Sequence, residues 1–275
     1  METVLSETDK AQFLEAGYLK IPQLIPAPML QSLRHLFNNI IHQYASSRDM
    51  VYQEKAGKVL VSNIDNICNQ GVHECLALLG APYITSIAKD IVGEDCFPVQ
   101  DFAVIKMQGD DLPVLWHQDM LHPQRSIFLT MGIYLDDAHE NDGALKVVPK
   151  SHVSGNDICT SAKEPTIDVA MQAGDVLLHD MMLAHSSSIM KEHTIRRVIY
   201  FEFLNPTAVR ADQLYPEEVI LQRTQLFEWA QQFYVLKYGT MAQENIAAQD
   251  EIINAVQQLY LHPVKGKPSA YCFEF

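Results

Sequence analysis

Residues 174–185 read GDVLLHDMMLAH. Gly174-Asp175 is a turn signal, and the apolar run behind it ends on a histidine, His185. Eleven residues later a second run opens on two arginines, RRVIYFEFL, residues 196–204. The same texture extends back to Phe97 in FPVQDFAVIKM, SIFLTMGIYL and GALKVVP, short apolar or alternating runs split by turn residues. Runs of this length and spacing predict an antiparallel all-β core, a sandwich or a barrel.

Outside that core the period changes. Ser6-Glu7-Thr8-Asp9 has the form of a capping box, and Gly17 can close the short helix it opens. Tyr18 to Ile25 reads as extended. Leu30, Leu33, Phe37, Ile40, Ile41 and Tyr44 recur at helical spacing behind Pro28, a residue tolerated in a first turn. A further helix is expected over His73 to Ile91, closed by Gly93, and Ser46 to Asp65 is expected to be a loop and a possible lid. After Pro216 helical periodicity returns, first to Gly239 and then from Ile246 to Tyr260. The reading is one domain over 1–275: a helical part to about 95, a β core over about 96–205, and helices over about 206–275. The additions are expected to pack on the outside of the core.

The formal charge of −14 disfavours nucleic acid or an anionic membrane as partner, since either needs a basic field, and leaves a small molecule as the expected ligand. Five widely spaced cysteines without a C-x-x-C are expected to be reduced packing residues. With a polar amino terminus and no long apolar run, a soluble cytoplasmic protein is expected, as a monomer or a homodimer. The aromatic group Phe227, Trp229, Phe233 and Tyr234 either packs on the core or forms a dimer face. Nucleotide-binding glycine loops, a serine-hydrolase elbow and H-E-x-x-H are absent from the sequence.

LWHQDMLH, residues 115–122, supplies the remaining chemistry. In an extended segment His117 and Asp119 share a face, which suits chelation. About 1.4 H-x-[D/E] triplets are expected from composition alone, so the single one present needs its context. That context is His185 and an arginine on the following strand, a charge that is costly to bury without an anion. Two imidazoles and one carboxylate with three open positions form the facial triad of non-haem Fe(II) oxygenases. 2-Oxoglutarate fills two of those positions and O2 the third, while an arginine holds the distal carboxylate. Arg196 and Arg197 compete for that role; strand alternation groups Arg196 with Val198, Tyr200 and Glu202, the more polar set.

In this order and spacing, FLEAGYLKIPQLI, WHQD, GALKVVPKSH, AGDVLLHDMMLAHSS and an arginine eleven residues after the second histidine resemble the phytanoyl-CoA dioxygenase family, over about residues 7–204. The resemblance implies a double-stranded β-helix, the cupin-like jelly-roll barrel, mainly β with flanking α helices. It implies Fe(II) on His117, Asp119 and His185, and 2-oxoglutarate and O2 as cosubstrates. Arg196 would take the C5 carboxylate of 2-oxoglutarate, and Ser187 would assist it. The sequence departs from the family at Gly132, where a tryptophan often flanks the cosubstrate, at Ser186, usually glycine, and at Lys150 in the usual P-G-S-H. These departures alter the pocket wall, so an acyl-CoA substrate is not carried over. Retention of Asp119 favours hydroxylation over halogenation, in which chloride replaces the carboxylate.

Lys106 is a further candidate for the cosubstrate, and His122, Arg125 and His179 are candidates for the substrate. His179 shares a face with His185 if the strand is regular, as a pocket residue, a rival ligand or a packed core histidine. Two other functions use the same residues: a zinc hydrolase with one open position, and a jelly-roll protein that binds a ligand without turnover.

Overall fold

A computed structural model describes residues 5–43, 49–55, 57–70, 73–111, 113–123, 126–239, 245–261, 264 and 269–274. The capping box forms as the sequence predicts. Ser6 caps helix α1 (Glu7–Ala16), and Gly17, at φ 83°, turns the chain into strand β1 (Tyr18–Ile21). Helix α2 (Ala27–Gln43) follows; Tyr44 lies outside the described residues. Next come the hairpin β2 (Met50–Lys55) and β3 (Lys58–Asp65), then helices α3 (Glu74–Leu79) and α4 (Pro82–Val92). The core runs through β4 (Phe97–Met107), β5 (Val114–Gln118), β6 (Leu129–Tyr134), β7 (Leu145–Val147), α5 (Ile158–Ser161), β8 (Ile167–Val169), β9 (Val176–Asp180), β10 (His185–Ser187) and β11 (Ile195–Leu204). It is followed by α6 (Pro206–Ala211), α7 (Glu217–Tyr238), α8 (Ile246–Leu259) and β12 (Ala270–Tyr271).

The strands form two sheets, ordered β1-β9-β6-β11-β4-β3-β2 and β12-β5-β10-β7-β8, with antiparallel pairing throughout. Consecutive core strands alternate between the sheets for much of the path. This winding is the double-stranded β-helix: β9-β6-β11-β4 on one wall and β5-β10-β7-β8 on the other. Strand alternation sorts the larger sheet's two faces. Tyr134, Leu177, Val198 and Tyr200 pack inward with Leu145, Val147 and Leu183. Ile105, Met131, Leu178, Ile199 and Phe201 face the helices, in the main cluster with Phe37, Leu76, Ile87 and Phe233.

Three expectations are corrected. The described residues of Ser46 to Asp65 are not a loop: β2 and β3 form a hairpin that extends the larger sheet through β4, with Asp65 opposite Phe102, and residues 46–48 and 56 lie outside the described residues. The helix expected over His73 to Ile91 is two helices. Ala81 precedes Pro82 and is extended, at ψ 135°, because the proline ring disfavours a helical residue before it. Cys159 and Cys272 are joined in a disulfide, whereas Cys68, Cys75 and Cys96 are buried thiols; cysteines 113 apart in sequence meet only because β12 returns to β5. The aromatic group of α7 packs on the core, the first of the two readings the sequence offers. Phe227 and Phe233 are core residues, and Trp229 and Tyr234 pack against them.

The C-terminal helices are held by one buried carboxylate. Asp101 on β4 accepts from Arg223 (2.8 Å), Tyr260 (2.8 Å) and the backbone N–H of Cys68 (2.9 Å). Beside it, Gly80 lets α3 lie directly on α7: a Cβ there would sit 1.9 Å from the carbonyl oxygen of Ala230. Backbone on both sides leaves no flexible group to yield. Gly80→Ala is therefore expected to cost on the order of 2–3 kcal/mol, read as a lowered midpoint in chemical denaturation with an unchanged slope.

Candidate metal centre

His117 and His185 lie directly opposite one another on β5 and β10. Each ring is oriented by its own strand: Nδ1 of His117 lies 2.9 Å from the carbonyl of Leu115, and Nδ1 of His185 lies 2.9 Å from that of Leu183. Donation from Nδ1 fixes the tautomer and leaves both Nε2 lone pairs available. Those two atoms lie 3.4 Å and 3.7 Å from the same oxygen, Oδ1 of Asp119. The other oxygen, Oδ2, accepts from Thr130 Oγ1 on β6 at 2.7 Å, so the carboxylate is anchored from the opposite sheet.

The donor set fits a divalent transition metal. One ligand atom from each residue falls within a 4.8 Å cluster, and ligands at about 2.1 Å and right angles around one ion lie about 3 Å apart. Burial, with His117 close by, holds His185 well below the usual histidine range, so it is neutral and able to coordinate. From outside, Tyr271 on β12 stacks on His117 with a centroid distance of 5.2 Å and an interplanar angle of 4°.

The remaining candidates separate by face. Arg196 is 1 % exposed, points into the barrel, and donates to the carbonyl of Gly143 at 2.7 Å. Arg197 points the other way and is engaged there, with both oxygens of Asp136 at 2.8 Å and with Asn38. Lys106 is opposite Arg196 in the β4–β11 register and donates to the carbonyls of Ser187 and Ser188. Burial and the Arg196 charge lower its pKa to about 7, against the pull of Asp110. Ser187 is buried on β10 two residues from His185. His179 is on the inner wall of β9, its ring 4.6 Å from that of His185 and its Nδ1 3.8 Å from Asp119 Oδ2. His122 lies apart from the three, tilted against Phe128 at 4.2 Å in the wall of a cavity of about 260 Å³ with Phe13, His152 and Asp180. Burial pushes its pKa down to about 4. Arg125 lies outside the described residues.

The sequence reading missed Thr130 and Tyr271. The first sits in the run SIFLTMGIYL as one of three hydroxyl residues, and only the pairing of the strands singles it out beside Asp119. Nothing local marks the second, since its place depends on a return of the chain.

The phytanoyl-CoA dioxygenase (PhyH) family model matches residues 13–198. The chain belongs to this family, whose members act with iron and 2-oxoglutarate. It is 24% identical over 213 residues to a probable alpha-ketoglutarate-dependent hypophosphite dioxygenase of Stutzerimonas stutzeri, covering 68% of this chain and 73% of the relative. It is 22% identical over 152 residues to an L-proline trans-4-hydroxylase of Streptomyces griseoviridis, covering 53% of this chain and only 55% of that relative. Among solved structures, AviO1 from Streptomyces viridochromogenes Tue57 superposes with a TM-score of 0.68 at 22% identity, over 76% of this chain and 98% of that one. This likeness shows the shared fold.

Thr130→Val removes the donor that orients Asp119 while nearly preserving side-chain volume. Its iron affinity, measured by competition with a chelator, is expected to fall about 10- to 100-fold with an unchanged far-ultraviolet spectrum.

Proposed function

We propose that the protein is an Fe(II)/2-oxoglutarate-dependent dioxygenase that hydroxylates a C–H bond of a small molecule, with the single domain of residues 1–275 carrying the whole activity. The observation that carries this reading is the pairing of a His117–Asp119–His185 corner with a buried, inward-facing Arg196 in the same barrel. A zinc hydrolase would need the corner but not the arginine.

When bound, iron(II) couples decarboxylation of 2-oxoglutarate to succinate and CO2 with insertion of one O2 oxygen into the substrate C–H bond. The chain provides the setting. His117, Asp119 and His185 would hold the metal, and Thr130 keeps Asp119 from rotating. Arg196, with Lys106 beside it, supplies positive charge for the distal carboxylate of 2-oxoglutarate. Apolar groups around them, Val198, Leu145 and Val147, exclude water and so strengthen that attraction. Ser187 completes the cosubstrate wall, His179 is assigned to the substrate, and His122 is proposed for it from the neighbouring cavity it lines with Asp180. The two curated relatives act, by their names, on hypophosphite and L-proline; a small polar substrate is the corresponding reading here.

No helix among the described residues is long and apolar enough to cross a membrane. We read the enzyme as cytoplasmic, acting as a monomer or a homodimer. Cys68, Cys75 and Cys96 support that compartment as buried thiols, and the Cys159–Cys272 disulfide opposes it.

Anaerobic addition of Fe(II) and then 2-oxoglutarate is expected to produce a weak charge-transfer absorption band that needs both, and His185→Ala should abolish it. Arg196→Met should retain iron and weaken 2-oxoglutarate binding on the order of 100-fold. Hydrolytic turnover by metal-loaded enzyme without O2, or a band insensitive to both substitutions, would rule the reading out.

A further inference from the structure

The distal end of the barrel contains more donors than Arg196 alone, and two polar atoms there make no hydrogen bond of full geometry. Arg196 spends one guanidinium N–H on the carbonyl of Gly143, but its Nε is buried without a hydrogen bond. Tyr134 faces the same space from β6, where the register places it opposite Val198, two residues along from Arg196 on the same face. The Arg196 guanidinium carbon stands 5.8 Å from the centre of its ring. Tyr134 is 0 % exposed, and its hydroxyl is also buried without a hydrogen bond. Tyr200 stands between the two, its hydroxyl interacting with both Tyr134 and Arg196, yet neither the Tyr134 hydroxyl nor Arg196 Nε gains a hydrogen bond of full geometry from it.

A buried unsatisfied hydroxyl costs about 1–3 kcal/mol. A buried guanidinium and a buried tyrosine side by side, each with a polar atom short of a well-formed hydrogen bond, are explained by an acceptor that both can reach. Burial pushes the Tyr134 hydroxyl well above its usual range, so it stays protonated and can donate. Gly132 is part of the same arrangement. A Cβ there would lie 2.9 Å from Cε1 of Tyr200, so the glycine leaves room for that ring, which in turn stacks on Phe102 at 5.2 Å. The aromatic wall of this pocket therefore comes from β11 rather than from residue 132.

We propose that Tyr134 is a second anchor for the cosubstrate, its hydroxyl donating to the distal carboxylate that Arg196 binds. This rests on the oxygenase reading above. The test is Tyr134→Phe, which removes one oxygen, in the Fe(II)-loaded full chain under anaerobic conditions. The charge-transfer band is titrated with 2-oxoglutarate and with 2-oxobutyrate, a 2-oxo acid that lacks the distal carboxylate.

The expected result has three parts. The 2-oxoglutarate dissociation constant rises about 10- to 100-fold, as for a lost hydrogen bond to a charged group. The constant for 2-oxobutyrate is unchanged. The metal-free variant melts no lower than the unsubstituted protein, because an unsatisfied hydroxyl has been removed. Equal 2-oxoglutarate affinity in the two proteins overturns the proposal, as does a variant that melts lower or fails to fold, since the hydroxyl would then be structural. Equal weakening for both oxo acids overturns it too. Absence of any band from the unsubstituted protein is a separate outcome, which removes the oxygenase reading itself.

Discussion

The two sheets must close on each other at one corner for this molecule to hold a metal. Both histidines stand on the smaller sheet, paired across β5 and β10, while the carboxylate between them is held from the larger sheet by Thr130. The site thus belongs to the interface of the layers rather than to either layer. Packing of the inner faces sets its dimensions: Leu145, Val147 and Leu183 meet Tyr134, Val198 and Tyr200 across the barrel. A shift in that packing would be felt as a change in the Nε2 to Oδ1 separations.

Charge follows the same layout. The inner face of the larger sheet places Lys106 and Arg196 at one end, and Asp119 joins Thr130 further along. Positive and negative groups are kept apart along the barrel axis, so a ligand with a carboxylate at one end and metal-binding oxygens at the other has a single favourable orientation. On the outer face charges are paired at short range, Arg197 with Asp136 and Arg223 with Asp101, where they fasten helices to the sheet. Adjacent arginines in the sequence therefore serve opposite purposes, one facing the cavity and one facing the shell.

The alternation of RRVIYFEFL made this division readable, because period two is a property of the strand itself. The capping box at Ser6 and the turn at Gly17 were readable for the same local reason. What was not readable depended on contacts between distant parts of the chain. The hairpin β2–β3 is stabilised by pairing to β4, and its polar residues look like loop when taken alone. The disulfide and the stacking of Tyr271 on His117 require β12 to add to the edge of β5. Within the site, residue types and spacing pointed to His117, Asp119, His185 and Arg196, whereas Thr130 and Tyr134 look like ordinary strand residues until the register is known.

The Tyr271–His117 stack also bears on the order in which the molecule assembles. The metal corner joins residues 117–130 to His185 and Tyr271, which lie far along the chain, and long loops must close before β10 and β12 can pair with β5. Helical segments such as α2 and α7 can form from neighbouring residues, so the corner is expected to consolidate late. Iron binding would then report on a late stage of folding, and an ion bound there would act as a clasp between β5 and β10.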